Sequence, residues 1–178
     1  VTGTTDRRWV AFVRGADATG TLTALTGVFS TRGVSFDSLT TGDVADGVGL
    51  IVVTFTASER RQRLLARTVR RLAAVRSAEV RAVEDPAVHA AAVLHLPRGA
   101  GFPAPADPAV RWSGDPAAGQ PVLVEGPLTA VERVVADTRA AGVVSAATVV
   151  LPLPEPADAD DAAPHTGPAV PAPDPAAP

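Results

Sequence analysis

The sequence contains no cysteine, methionine, tyrosine, lysine or asparagine, and aromatic residues make up only 4% of it. Without cysteine there is no disulfide, no thiolate metal site and no thiol nucleophile. All 16 basic residues are arginine, and 19 acids outweigh them to a formal net charge of -3. A general nucleic-acid binder of this size is usually net basic, so that class starts at a disadvantage. No apolar run approaches the roughly 20 residues of a membrane helix. The start of the chain lacks the basic segment and long apolar stretch of a secretory signal, so a cytoplasmic protein is expected. The abundance of Ala, Arg, Val and Pro reads as the bias of a GC-rich genome, which takes functional weight away from the missing residue types.

With 178 residues, 46% of them apolar, the chain suffices for one ordinary domain or two small ones. Charge divides it in three. Residues 1–85 carry 12 Arg against 9 acids, residues 86–151 carry 4 against 5, and residues 152–178 carry none against 5. The last stretch is Pro, Ala and Asp with few large apolar side chains, so it buries too little surface to offset its ordering entropy. A disordered acidic tail is expected from residue 154, and a flexible N-terminus over residues 1–7. The cluster Asp158, Asp160 and Asp161 is read as solvated charge.

In the first region, Arg8–Arg14 alternates as a strand, with Trp9, Ala11 and Val13 on one side and Val10 and Phe12 on the other. After a loop from Gly15 to Gly20, Leu22, Leu25, Val28 and Phe29 fall on one stripe of a helix of about three turns. Gly33 is placed to stop it. Val34–Thr41 is expected as a second strand, Gly42–Gly47 as a turn and Val48–Phe55 as a third strand. Ser58 caps a helix expected to run to about Val75, and Ser77–Val83 closes the series. The order βαββαβ specifies an α+β, ferredoxin-like unit over residues 8–85, two helices on one face of a four-stranded antiparallel sheet. Strand Val48–Phe55 is apolar on both sides, so the second face of this sheet should be covered, by another subunit or by the second region.

Residues 86–153 repeat the scheme in shortened form. Ala90–Leu96 is a strand, Pro97–Pro108 a loop where a first helix would belong, and Val110–Ser113 and Val122–Glu125 are short strands. A helix from Leu128 to about Ala141 and a strand over Val143–Leu151 follow, with Gly142 between them. This degenerate unit is thin, and should dock on the first half or on a partner.

The stretch from Gly20 to Leu39 resembles the ACT domain of the regulatory small subunit of acetolactate synthase. The spacing carries the resemblance: Gly20 opening the helix, Leu22, Phe29, Arg32-Gly33 at the helix end, and Ser38-Leu39 in the next strand. More loosely it extends to Glu84, and Pro121–Pro127 with the following helix is similar to that family's C-terminal domain. The resemblance implies a non-catalytic subunit in branched-chain amino-acid biosynthesis. It would pair as a homodimer through side-by-side ACT domains and activate a large catalytic subunit. Thiamine diphosphate, magnesium and FAD are implied on that partner, and no cofactor on this chain. It also implies an amino-acid effector held between the loop opening the first helix of one protomer and the second strand of the other, against Asp17, Thr19, Gly20, Thr21, Leu22, Ser35 and Phe36. Amides at a helix mouth favour the effector's carboxylate. Asp17 and Ser35 stand where valine-responsive members usually have Asn, and an ionised Asp only accepts hydrogen bonds, which disfavours valine itself.

Arg60, Arg63, Arg67 and Arg70 share one face of the second helix, beside Arg61 and Arg71, opposite a stripe of Leu65, Val69 and Leu72. With no aromatic residues interleaved for base stacking, this face reads as solvated, with a docking role for part of it. His89 and His95 stand about 20 Å apart on one strand, too far to share a metal. There is no nucleophile elbow, phosphate loop or His-Asp-Ser set, so no catalytic constellation is expected. The two rival readings are a free-standing amino-acid sensor acting on another enzyme and a nucleic-acid-binding regulator using the arginine face.

Overall fold

The computed structural model describes residues 5–16, 20–142 and 145–153. The expected acidic tail and most of the expected flexible N-terminus lie outside them. Strand β1 (Arg7–Ala16) occupies the middle of a four-stranded sheet with β2 (Phe36–Ala45), β3 (Val48–Ala57) and β4 (Val75–Ala82), in the order β2-β3-β1-β4. All its pairings are antiparallel. Helices α1 (Thr21–Thr31) and α2 (Glu59–Val69) complete the βαββαβ series. The fold class is the one expected, α+β and ferredoxin-like.

The alternation along β1 sorts its side chains as read from the sequence. Trp9, Ala11 and Val13 join Leu25, Val28 and Phe29 of α1, Leu65 and Val69 of α2, and Ile51, Val53 and Phe55 of β3 in one core. Phe29 meets Phe55 edge-on at 5.3 Å and Phe36 at 6.1 Å between ring centroids. Trp9 buries its ring and donates Nε1–H to the carbonyl of Ala57 at 2.9 Å, so the indole's one polar atom is satisfied.

Several boundaries move from their expected places, each for a local reason. Val34 belongs to the end of α1, its N–H donating to the Phe29 carbonyl at 3.0 Å, so β2 starts two residues later than expected. The broad turn expected over Gly42–Gly47 contracts to Asp46-Gly47, at φ 51° and 71°, the left-handed pair that a two-residue hairpin needs. α2 stops at Val69 instead of running to Val75, because the chain must turn back to bring Val75 beside β1. Arg70 fixes that turn by donating Nε–H to the carbonyl of Ala78 at 2.8 Å. Ser58 is the expected cap, its Oγ accepting from the Arg61 N–H. Leu22 leaves the expected buried stripe: in the first turn Thr21 takes the inward position and Leu22 is 41% exposed. Gly33, at φ 60°, is the expected stop.

The second sheet has the order β6-β7-β5-β8, from β5 (His89–His95), β6 (Arg111–Ser113), β7 (Val122–Pro127) and β8 (Ser145–Val150). This is the same topology as the first sheet, with one helix, α3 (Leu128–Ala140), and an irregular segment from 96 to 110 where the other helix would stand. The strands and helix differ from their expected ends by one or two residues, except that residues 143–144, expected to open the last strand, lie outside the described ones.

The question of what covers the second face of the first sheet has its answer within the chain. Val10 and Phe12 of β1 and Leu50 and Val52 of β3 share a core with Leu128, Val131, Val134 and Val135 of α3 and with Ala90, Leu94, Val122 and Val124 of the second sheet. The layers therefore run α1 and α2, first sheet, α3, second sheet. The thin second unit gains stability by docking, since the buried residues of its one helix share a core with both sheets. No helix among the described residues is long and apolar enough to cross a membrane.

Candidate functional site

The mouth of α1 is built by a short polar tether and a glycine. Thr21 is buried and donates its hydroxyl to the carbonyl of Ala16 at 2.9 Å, tying the first helical residue to the end of β1. Gly20 precedes it at φ 103°, a conformation that a Cβ penalises, and a Cβ there would meet nothing within 4 Å. The glycine is thus required by the backbone and not by crowding. Its carbonyl accepts from the Ala24 N–H at 2.8 Å, which closes the first turn. The first turn contains no acidic residue. The amides of the mouth and the positive end of the helix dipole suit a carboxylate. Asp17 and Thr19, expected to flank this mouth, lie outside the described residues.

Ser35 and Phe36 do not join Gly20, Thr21 and Leu22 within one chain. Phe36 aligns with Phe55 and Trp9 at one end of the first sheet, whereas Gly20 follows Ala16, which aligns with Val48 at the other. Eleven helical residues separate the two ends, about 16 Å at 1.5 Å per residue. Both groups are nonetheless presented to solvent: Gly20, Leu22, Ser35 and Phe36 are exposed, Phe36 by 43%. Strand β2, which begins at Phe36, is an edge strand that pairs, among the described residues, only with β3.

A charged row that sequence reasoning missed lies just behind Phe36. Both terminal nitrogens of Arg8 donate to the two carboxylate oxygens of Glu132 on α3, at 2.8 and 2.7 Å, and Arg8 Nε stands 3.8 Å from Asp37. The hydrogen bond to Glu132, reinforced by the negative charges of Glu132, Asp37 and Glu84, raises the pKa of the Arg8 guanidinium against the opposing effect of burial. One residue thereby links β1, β2 and the second unit. No local spacing signals a pair 124 residues apart.

The arginine face of α2 is largely outward, as expected, with part of it engaged. Arg63 pairs with Glu59 at 3.3 Å, and Arg70 is committed to the Ala78 carbonyl. Leu65 and Val69 are buried, while Leu72 is only partly so. His89 and His95 end β5 and are both exposed. No group of three His, Asp or Glu residues among the described ones is placed to hold a metal.

No family model matches the sequence, and no curated protein matches it. Among solved structures, the acetolactate synthase small subunit from Thermotoga maritima superposes with a TM-score of 0.57 at 13% identity, over 81% of this chain and 94% of that one. The regulatory subunit of aspartate kinase from Thermus thermophilus gives 0.45 at 14% identity, over 77% and 93%. The ACT domain from the GTP pyrophosphokinase of Chlorobium tepidum gives 0.39 at 20% identity, over 43% and 100%. The first of these establishes a shared fold across both units. The chain has the ACT-type, ferredoxin-like fold.

Proposed function

We propose that this chain is a non-catalytic regulatory subunit similar to the acetolactate synthase small subunit. It pairs with a second copy along β2, takes a small amino acid at the junction, and tunes a thiamine-diphosphate-dependent catalytic subunit. The observation that carries this reading is the separation of the candidate site within one chain, together with the free edge that removes it. Two β2 strands paired about a two-fold axis run antiparallel. Phe36 of one copy then falls beside the Ala45 end of the other, and that end carries the Gly20 mouth. The amides of Gly20, Thr21 and Leu22 receive the effector's carboxylate, while Ser35 and Phe36 of the partner supply a hydroxyl and an apolar wall. Asp17 takes the ammonium group, which selects a zwitterion over a simple acid. With Asp17 and Ser35 in place of amide side chains, valine binds weakly or is replaced by another small amino acid.

Arg8 gives the site a route to the second unit. It meets Asp37, next to Phe36, and Glu132 on α3, so a shift of the β2 start is felt across the layer. An effector regulates only through differential affinity for two arrangements, and this junction is where they would differ. Co-purification with a thiamine-dependent large subunit, followed by assay of that subunit with and without this chain, tests the reading. Tight association with raised activity supports it. A large subunit that neither binds nor responds refutes it in favour of a sensor acting elsewhere.

A further inference from the structure

Among the described residues, none forms a layer over one face of the second sheet. Along β5, β7 and β8 the side chains of Ala90, Leu94, Val122 and Val124 point toward α3, and the alternate residues point outward. Five of those outward residues, Ala91, Val93, Leu123, Ala147 and Val149, form an apolar patch. Leu123 is 51% exposed and Val149 is 46% exposed, with Val93 between their strands. They line a shallow depression of about 430 Å³ bounded by Arg111 and Glu125. A half-solvated antiparallel sheet normally turns polar residues to water, so this composition marks a surface that is covered in use.

We infer that the occupant is a second copy of the same face, packed sheet to sheet. The charges favour this. Arg111 and Glu125 are directly opposed across β6 and β7, yet neither takes part in an ion pair among the described residues. The face therefore presents one charge of each sign beside an apolar row, a pattern that is complementary to itself. A two-fold axis running across the strands, between the Glu125 and Leu123 rows, lays Val93 over Ala91 and Ala147 over Val149 of the other copy, with Leu123 over the stem of Glu125, at the spacing of about 10 Å usual for stacked sheets. Arg111 of each copy then stands one strand and two residues from Glu125 of the other, about 8 Å apart in the plane, within reach of the two extended side chains. The chain's own residues 154–178 match less well. They carry five acids and no arginine, so they would face Glu125 with like charge and leave it unpaired.

The face spans four short strands, roughly 400 Å² per copy, or about 800 Å² in total. That is below a standard stable interface, so the contact assembles at high concentration and is not obligate. It is independent of pairing along β2, and at least doubles whatever unit exists at low concentration.

Sedimentation of the full chain from micromolar to millimolar concentration tests it, alongside Leu123→Glu, Arg111→Glu, Glu125→Arg and the double exchange of the last two. The expected result is a rise in mass of at least twofold for the wild type. Leu123→Glu and each single charge variant lose it at unchanged melting temperature, and the double exchange regains it. Equal mass for wild type and Leu123→Glu throughout, or no recovery in the double exchange, overturns the inference. Because the chain has no cysteine, Ser113→Cys places a single thiol on this face. Its maleimide reactivity falls with rising protein concentration if a second copy covers it. Low reactivity that does not depend on concentration assigns the cover to the chain itself and also overturns the inference.

Discussion

Cutting the contact between Arg8 and Glu132 should loosen the second unit from the first, by an amount the geometry bounds. Two parallel charge-assisted bonds of 2.7–2.8 Å would each be strong in a dry interior. Here the side chains keep 40% and 34% of their exposure, so water screens the pair, and a bidentate geometry at this depth is worth about 1 kcal/mol. Glu132→Gln keeps the shape of the side chain and removes its charge; Arg8→Met keeps the stem and removes the fork. Urea denaturation of both single variants and the double variant closes a thermodynamic cycle, with an expected coupling of about 1 kcal/mol and a Tm loss of roughly 2–4 °C for Glu132→Gln. High salt should reduce the coupling. A coupling indistinguishable from zero would refute the electrostatic link. Two resolved unfolding transitions in the wild type would refute the shared core of α3 with the first sheet, since a common core demands one cooperative loss.

Other perturbations follow from the packing. Phe29→Ala removes a fully buried ring that Phe36 and Phe55 both meet edge-on, and should cost about 3–5 kcal/mol by denaturation. Gly126→Ala should destabilise by about 1–3 kcal/mol, because its Cβ would sit 2.8 Å from the Ala109 carbonyl oxygen, and neither backbone is free to move. Gly20→Ala clashes with nothing, so its cost is the left-handed strain alone, about 1 kcal/mol, read from the same denaturation curves. The Asp85 carboxyl is held below its ordinary pKa, chiefly by the Ala87 N–H and then by Arg81. A depressed folded pKa gives stability that is present above the unfolded value near 4 and is lost as pH falls through the lower folded value. Denaturation midpoints should thus be level at neutral pH and fall in acid, and Asp85→Ala should flatten that acid limb.

The fold was legible where local chemistry and tertiary packing agree. The alternation around Trp9 and the two-sided apolar pattern of Val48–Phe55 each report a buried surface, and the second correctly announced a covering layer. Sequence alone did not decide between another subunit and the second region, because the apolar residues of α3 read equally well as the inner stripe of any helix. Element ends were lost where a distant partner sets them. Arg70 and Val75 leave the helix because β1 needs a neighbour, and no propensity encodes that. At the site, Gly20 was found from its position before an apolar stripe, whereas Leu22 was misplaced by one position on the helix circumference. Arg8, Asp37 and Glu132 were invisible because their contact exists only after three elements have packed. The outward apolar residues of the second sheet had a signal in Val122-Leu123-Val124, an uninterrupted apolar run that places large apolar side chains on both faces of the strand.

Backbone amide resonances, followed while Val, Leu and Ile are each added to the full-length protein, test the regulatory account at its centre. If the mouth of α1 and the partner's β2 form an effector site, the signals of Gly20, Thr21 and Leu22 move together with those of Ser35 and Phe36 for at least one of these amino acids, with valine the weaker ligand. Signals that stay fixed for all three, or that move only on one of these two segments, would contradict it.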